Sequence, residues 1–455
     1  LNAIRFAELK RLSEITSTLL LYFLIVDNQQ KLNFIFSRAL LNFQEIKELL
    51  QLHLLSLKGE KFTETYAVDF QNTILEALKI AQSKGRKFIE VVDLFLALSK
   101  FNPVFQEILI QKNFKVKDIA NLVKWQEKFE KEREEKRRFW DEKNLIKKGS
   151  LAKQWTAGYT VTLDQFSIDI TQIVKNKGFP EVIGHQKEVS EVERILSQRE
   201  SKNNVLLVGE PGSGRKSIIW ELAKRSALGE SLPEINYKRI VQLDLPALLA
   251  QMQSIEEVES ILDDIFYEVS SAGNVILVID EFHNFVAGGG VGVGVIDISG
   301  SIAPYLSLPQ FQIVALTTFE GLHKNIEQNT SLLALFEKVE VSEISEEETL
   351  ELLEKLTLIL EKKYKKFVSY PALRDIISLS AKYLPAIPFP EKALDLLEAV
   401  VIYTTSLRET VVLPQHVSRV ITEKTQIPVV EIEKKEREIL LNLEILIHQR
   451  IINQE

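Results

Sequence analysis

Apolar positions change their spacing twice along the chain. Residues 1–60 carry apolar side chains three and four apart, as at Leu32, Ile35, Ala39 and Phe43, which predicts helices. The apolar run Leu19–Val26 falls well short of the ~20 residues of a spanning helix and reads as a buried helix. Because the chain starts at Leu1, the tail of a membrane segment is the other reading. Over 61–122 helical spacing continues through Ile74, Leu75, Leu78 and Ala81 to a stop at Gly85, then through Val91, Val92, Phe95, Leu96 and Leu98 towards Pro103. From Leu163 the pattern differs. Strand-like runs at Asn204–Val208, Arg239–Asp244, Val275–Ile279, Phe311–Leu316 and Lys338–Val341 alternate with helical stretches, which predicts a parallel α/β sheet. A helix between the second and third runs is marked by Ile255, Val258, Ile261, Leu262, Ile265, Phe266 and Val269. After the fifth run the pattern turns helical and stays so. There Ser345 and Glu348 form a capping box that opens a helix through Leu350, Leu353, Leu356 and Leu360.

Candidate chemistry sits where strands end. The apolar run Val205–Val208 enters Gly209-Glu210-Pro211-Gly212-Ser213-Gly214 and then a helical stretch with Ile218, Ile219, Leu222 and Ala223. Strand, glycine-rich turn and helix make a phosphate cradle, in which backbone N–H groups and the positive end of the helix dipole face the phosphate oxygens. In the common pattern a lysine for the phosphates and a hydroxyl for Mg²⁺ follow the last glycine. Here Arg215 and Lys216 fill those slots, and the pair Lys216–Ser217 comes one position late. Either the turn bulges by one residue and recovers that pair, or Arg215 does the lysine's work and the hydroxyl is missing. A one-residue slip would also rotate the helix that packs on the sheet, which favours the ungapped reading. The run Val275–Ile279 ends in Asp280 and Glu281, placing one carboxylate to hold Mg²⁺ and a second to polarise an attacking water.

Composition narrows the picture further. A chain of 455 residues holds two or more domains. Its net charge of −8 argues against general nucleic-acid affinity, and the mixed charges of residues 125–148, near Trp125 and Trp140, read as a solvated helix or linker. Without cysteine there is no disulfide framework, which fits a cytosolic address. The six histidines are scattered without ligand spacing, so no metal is expected beyond nucleotide-bound Mg²⁺. Gly288–Gly294 follows the Asp-Glu strand with no helix behind it and reads as a mobile loop.

Several of these stretches resemble one family. Phe166-Ser167-Ile168-Asp169-Ile170-Thr171, Val182-Ile183-Gly184, Gly209-Glu210-Pro211-Gly212, Asn274–His283, Ala315-Leu316-Thr317-Thr318 and Phe389-Pro390-Glu391-Lys392-Ala393-Leu394-Asp395 together make residues 163–430 similar to the first ATPase module of the Clp (caseinolytic-protease) AAA+ unfoldases, of the ClpA/ClpC kind. Ala77-Leu78 through Gly85 and Asp93–Leu98 resemble that family's N-terminal repeat, and Glu433–Glu455 resembles the entrance to its second module. The resemblance implies an α/β P-loop AAA+ large domain with a five-stranded parallel sheet, an all-helical lid, and an all-α N-terminal domain before them. It divides the chain into 1–60, a helical segment; 61–122, the repeat-like domain; 123–162, a charged linker; 163–343, the large domain; 344–430, the lid; and 431–455, the start of a truncated module.

The same resemblance implies ATP or ADP with Mg²⁺. Val182, Ile183 and Gly184 would lie against adenine, Gly209 to Ser217 would cradle the phosphates, and Asp280 with Ser217 would hold the metal. Glu281 and Thr318 would be catalytic. A hexameric ring, client polypeptides, a Clp-type peptidase or adaptor, and the cytoplasm complete what it implies, with neither nucleic acid nor membrane as partner. Three departures predict weakened hydrolysis: the Arg215–Lys216 slots, Ala334 and Leu335 where the family has paired arginines, and Ser254 in place of a pore aromatic. The other reading is a non-hydrolysing nucleotide-binding assembly or adaptor protein.

Overall fold

The computed structural model describes residues 2–12, 14–56, 65–137, 160–178, 182–198, 202–252, 254–286 and 297–429. Trp140, residues 138–159 of the linker, the glycine run Gly288–Gly294 and the stretch Glu433–Glu455 lie outside them. The chain divides into two compact units, one of Leu1–Arg138, Leu356–Ile376 and Glu398–Glu455, the other of Phe139–Lys355 and Ile377–Leu397.

The second unit is built on a sheet of β1 (Ser167–Asp169), β2 (Val205–Gly209), β3 (Arg239–Leu243), β4 (Val275–Ile279), β5 (Ile313–Thr317) and β6 (Glu337–Val341), in the spatial order β1-β3-β4-β5-β2-β6. The pairs β3–β4, β4–β5, β5–β2 and β2–β6 are parallel, as the alternating runs predict. The edge strand β1 is antiparallel to β3, a sixth strand that the five-stranded expectation lacks. Three residues are too few to show a period, so Ser167–Asp169 reads only as a lead-in.

Strands β2, β4 and β5 are buried throughout, which is why their sequences are continuous apolar runs rather than alternating ones. Their successive side chains serve opposite faces of the sheet. Leu206, Val208, Leu277 and Ile279 pack with Val258, Leu262, Ile265 and Phe266 of the helix Ile255–Ala272. Val205, Leu207, Ile276 and Val278 pack instead with Ile218, Ile219 and Leu222 and with Val189, Val192 and Ile195. Those residues belong to the helices Arg215–Leu228 and Gln186–Leu196.

The first unit joins N-terminal helices to part of the lid. The run Leu19–Val26 lies in the helix Ser17–Asp27, which buries Leu19, Leu21, Leu24 and Ile25. No helix among the described residues is long and apolar enough to cross a membrane. In the helix Val68–Ser83 the buried face is Thr73, Ala77 and Ala81, while Leu75 and Leu78 are exposed. The apolar stripe expected there is therefore turned: small side chains face the next helix, Val91–Phe101, whose Val92, Phe95, Leu96 and Leu98 are buried.

Arg38 ties the N-terminal helices to lid residues of the same unit. It is buried, donates from Nη2 to Glu361 Oε2 at 2.9 Å and from Nη1 to Val368 O at 2.8 Å, and lies over Trp125 and Phe367 at 4.6 and 4.5 Å. The lid portion also carries a two-stranded parallel pairing of β7 (Phe367–Val368) with β8 (Val411–Val412), where the sequence pattern predicts only helix. Two-residue strands leave no periodicity to read.

Candidate functional site

The cradle follows from where β2 stops. Its last residue is Gly209, and the next helix opens at Arg215 with Gly214 at its N-cap. No extra residue stands between glycine and helix, so the register is ungapped: Arg215 takes the lysine slot, and Lys216, not Ser217, takes the hydroxyl slot. Ser217 lies one residue further, about 100° around the helix. The turn is closed by Ser213 N–H donating to Glu210 O at 3.1 Å. Gly212 and Gly214 have φ of +83° and +101°, a left-handed backbone that glycine adopts without strain. Both are also closely approached. A Cβ on Gly212 would lie 1.7 Å from Glu391 Oε2, and one on Gly214 would lie 2.4 Å from His185 Nε2.

Parallel register brings the carboxylates to the cradle. Ile279 pairs with Ala315 and Val208 with Thr317, so the ends of β4, β5 and β2 lie side by side. Arg215 Nη2 lies 3.0 Å from Glu281 Oε1, and Lys216 Nζ lies 2.8 Å from Asp280 Oδ2. Asp280 Oδ1 accepts from Glu281 N–H at 3.0 Å, so both of its oxygens are engaged. Glu281 itself is left-handed at φ +50° and starts the short 3₁₀ turn Phe282–Phe285.

His283, on that turn, extends the group. Its Nε2 is 3.5 Å from Glu281 Oε2 and its Nδ1 is 3.1 Å from the buried Thr317 hydroxyl. Asn325 Nδ2 donates to its carbonyl at 2.5 Å. Burial pushes the imidazole below the ordinary histidine range, and the Arg215 charge acts in the same direction against the opposing pull of Glu281. Thr318, just past the end of β5, accepts from Gly321 N–H at 2.9 Å through its Oγ1 and caps the next turn.

Val182 and Ile183 are partly exposed beside the buried Gly184, whose Cβ would lie 2.8 Å from Ile344 Cγ2. From the lid, Phe389 N–H donates to Glu343 Oε2 at 2.9 Å, and the buried Lys392 lies 4.0 Å above the Phe389 ring. Ser254 N-caps the helix Ile255–Ala272 by accepting from Glu257 N–H at 3.2 Å. Asn204 Nδ2 donates to Leu335 O at 3.2 Å, and the Leu335 side chain packs against the core.

Two buried polar atoms of the cradle have no partner, Ser213 Oγ and Arg215 Nη1. Unsatisfied donors inside a turn of backbone amides fit phosphate oxygens. Mg²⁺ does not fit as well. The hydroxyl that would hold it is replaced by Lys216, and the carboxylate that would hold it is already engaged on both oxygens.

Comparison with known proteins agrees with this geometry. Residues 205–295 match the family model described as "ATPase family associated with various cellular activities (AAA)", and residues 345–440 match an AAA lid domain. The ATP-dependent Clp protease ATP-binding subunit ClpC of Staphylococcus saprophyticus is 36% identical over 239 residues, 52% of this chain and 29% of that protein. The ClpA homolog of Guillardia theta is 38% identical over 244 residues, 53% of this chain and 29% of that protein. These matches span under a third of the curated relatives' length. Among solved structures, the S. cerevisiae Hsp104:casein complex aligns with a TM-score of 0.53 and 27% identity over 59% of this chain and 46% of that one. The Hsp104–ADP complex aligns at 0.56 and 26% identity over 64% of this chain and 50% of that one. The cradle and lid are thus similar to an AAA domain and an AAA lid domain, with a fold like that of the Hsp104 structures.

Proposed function

We propose that this chain is a subunit of a Clp-like AAA+ machine that binds ATP or ADP between Gly209–Gly214 and Asp280–Glu281 and serves protein unfolding, with little hydrolysis of its own. Val182, Ile183 and Gly184 would receive the base, and the backbone of Gly209 to Gly214 with Ser213 and Arg215 the phosphates. One observation carries the reading of weak hydrolysis: the Glu281 carboxylate is 3.0 Å from the Arg215 guanidinium. An oxygen already accepting from a guanidinium has less room to receive an attacking water. Ala334 and Leu335 supply no cation for a neighbouring subunit's phosphates, a contribution of ~10³ or more in turnover where such an arginine is present. The same two observations favour the second reading, a ring component whose nucleotide is structural and not turned over. A ring of six, client polypeptides, a peptidase or adaptor partner and a cytoplasmic location are proposed from the relatives' kind.

A fluorescent ATP analogue should bind the purified chain, followed by anisotropy. Glu281→Gln should lower any phosphate release while leaving the dissociation constant within about threefold. Phosphate release unmoved by that substitution removes Glu281 as the base. Its complete absence from the unaltered chain selects the structural-nucleotide reading.

A further inference from the structure

Every other charged group at the cradle has a counterpart in the pattern that the sequence resembles; Lys216 does not. It stands where a hydroxyl would hold the divalent ion, and it puts an ammonium 2.8 Å from the carboxylate that would hold the same ion. We propose that Lys216 takes the place of Mg²⁺, so that this site receives a nucleoside di- or triphosphate without a metal. The inference rests on the nucleotide reading of the cradle and adds to it which cation meets the phosphates.

Three features carry it. Both Asp280 oxygens are engaged, Oδ2 by Lys216 and Oδ1 by the Glu281 N–H, so a metal would have to displace one of them. The Lys216 side chain is 69% exposed. With three N–H donors and one spent on Asp280, two remain for oxygens arriving from the open side. Finally, Mg²⁺ entering at Asp280 would meet a fixed ammonium beside it, a like-charge repulsion that a hydroxyl does not impose. Mg²⁺ prefers six oxygen ligands in near-octahedral geometry, and here it would lose one protein oxygen outright. An ammonium cannot reproduce that coordination or activate a water. It can neutralise charge and orient a phosphate, which binding requires and hydrolysis does not.

The test measures binding of a fluorescent ADP analogue to the whole chain, once with excess EDTA and once with millimolar Mg²⁺. The dissociation constants should agree within about threefold. Lys216→Ser restores the hydroxyl; its binding in EDTA should weaken about tenfold or more and recover with Mg²⁺. Electron paramagnetic resonance of Mn²⁺ with ADP supplies an independent readout, with no tightly held Mn²⁺ on the unaltered chain and a bound signal on Lys216→Ser. A tenfold loss of affinity in EDTA by the unaltered chain, or a nucleotide-dependent bound Mn²⁺ signal on it, overturns the role of Lys216 and leaves the nucleotide reading standing. Absence of binding under both conditions overturns the nucleotide reading, and this inference with it.

Discussion

Glu281 has two basic neighbours, Arg215 Nη2 at 3.0 Å and His283 Nε2 at 3.5 Å, and the imidazole continues to the Thr317 hydroxyl. Burial and Arg215 hold His283 below its ordinary range, so it is neutral at pH 7. The consequence for stability has a definite sign. A histidine whose folded pKa lies below its unfolded value binds more protons when unfolded, so it subtracts stability as pH falls through the unfolded value near 6.5. Thermal melts of the unaltered chain should lose more between pH 7 and pH 5.5 than those of His283→Gln; equal losses would contradict the role assigned to burial. Asp280 and Glu281 are legible in sequence because they end an apolar strand. The link from His283 to Thr317 is not, because it joins residues 34 apart through the register of β4 against β5. Its one visible sign is a histidine two places after Glu281, which spacing alone does not distinguish from a surface residue.

Elements were legible in proportion to their length and burial. The strands β2, β4 and β5 announce themselves because both faces are covered, and the helix Ile255–Ala272 because one face is. The strands β1, β7 and β8 exist through pairing across the chain, which no local pattern records. End signals fared well at the start of the helix Glu346–Tyr364. Ser345 Oγ accepts from Glu348 N–H at 3.2 Å while Glu348 Oε2 accepts from Ser345 N–H at 3.1 Å, the reciprocal capping box that the sequence predicts. Replacing Ser345 by Ala should cost about 1 kcal/mol in urea unfolding, and Ser345→Asp should keep most of it. A loss under ~0.3 kcal/mol for Ala would mean that water satisfies the freed N–H as well as the hydroxyl does.

At the scale of the molecule, contacts between distant stretches of chain define each compact unit. Arg38 and Glu361 are 323 residues apart, and nothing in either local sequence marks the pair. Arg38 is 5% exposed with both carboxylate oxygens of Glu361 and the Val368 carbonyl around it. Removing one partner of such a pair strands the other charge, at a cost of about 3 kcal/mol, while replacing both by apolar side chains costs far less. Arg38→Ala should therefore lower the urea midpoint of the first unit much more than Arg38→Met combined with Glu361→Leu. If the single change is as mild as the double one, the guanidinium contributes by stacking on Trp125 and Phe367 alone.

The pairing of two cations with two carboxylates beside the glycine turn also has a kinetic side. Arg215 with Glu281 and Lys216 with Asp280 cancel one another in charge, so these four side chains add little net field in solution. For the nucleotide proposed to bind there, these pairs lend the approach little long-range attraction, and added salt, which slows steered encounters, has little of theirs to screen.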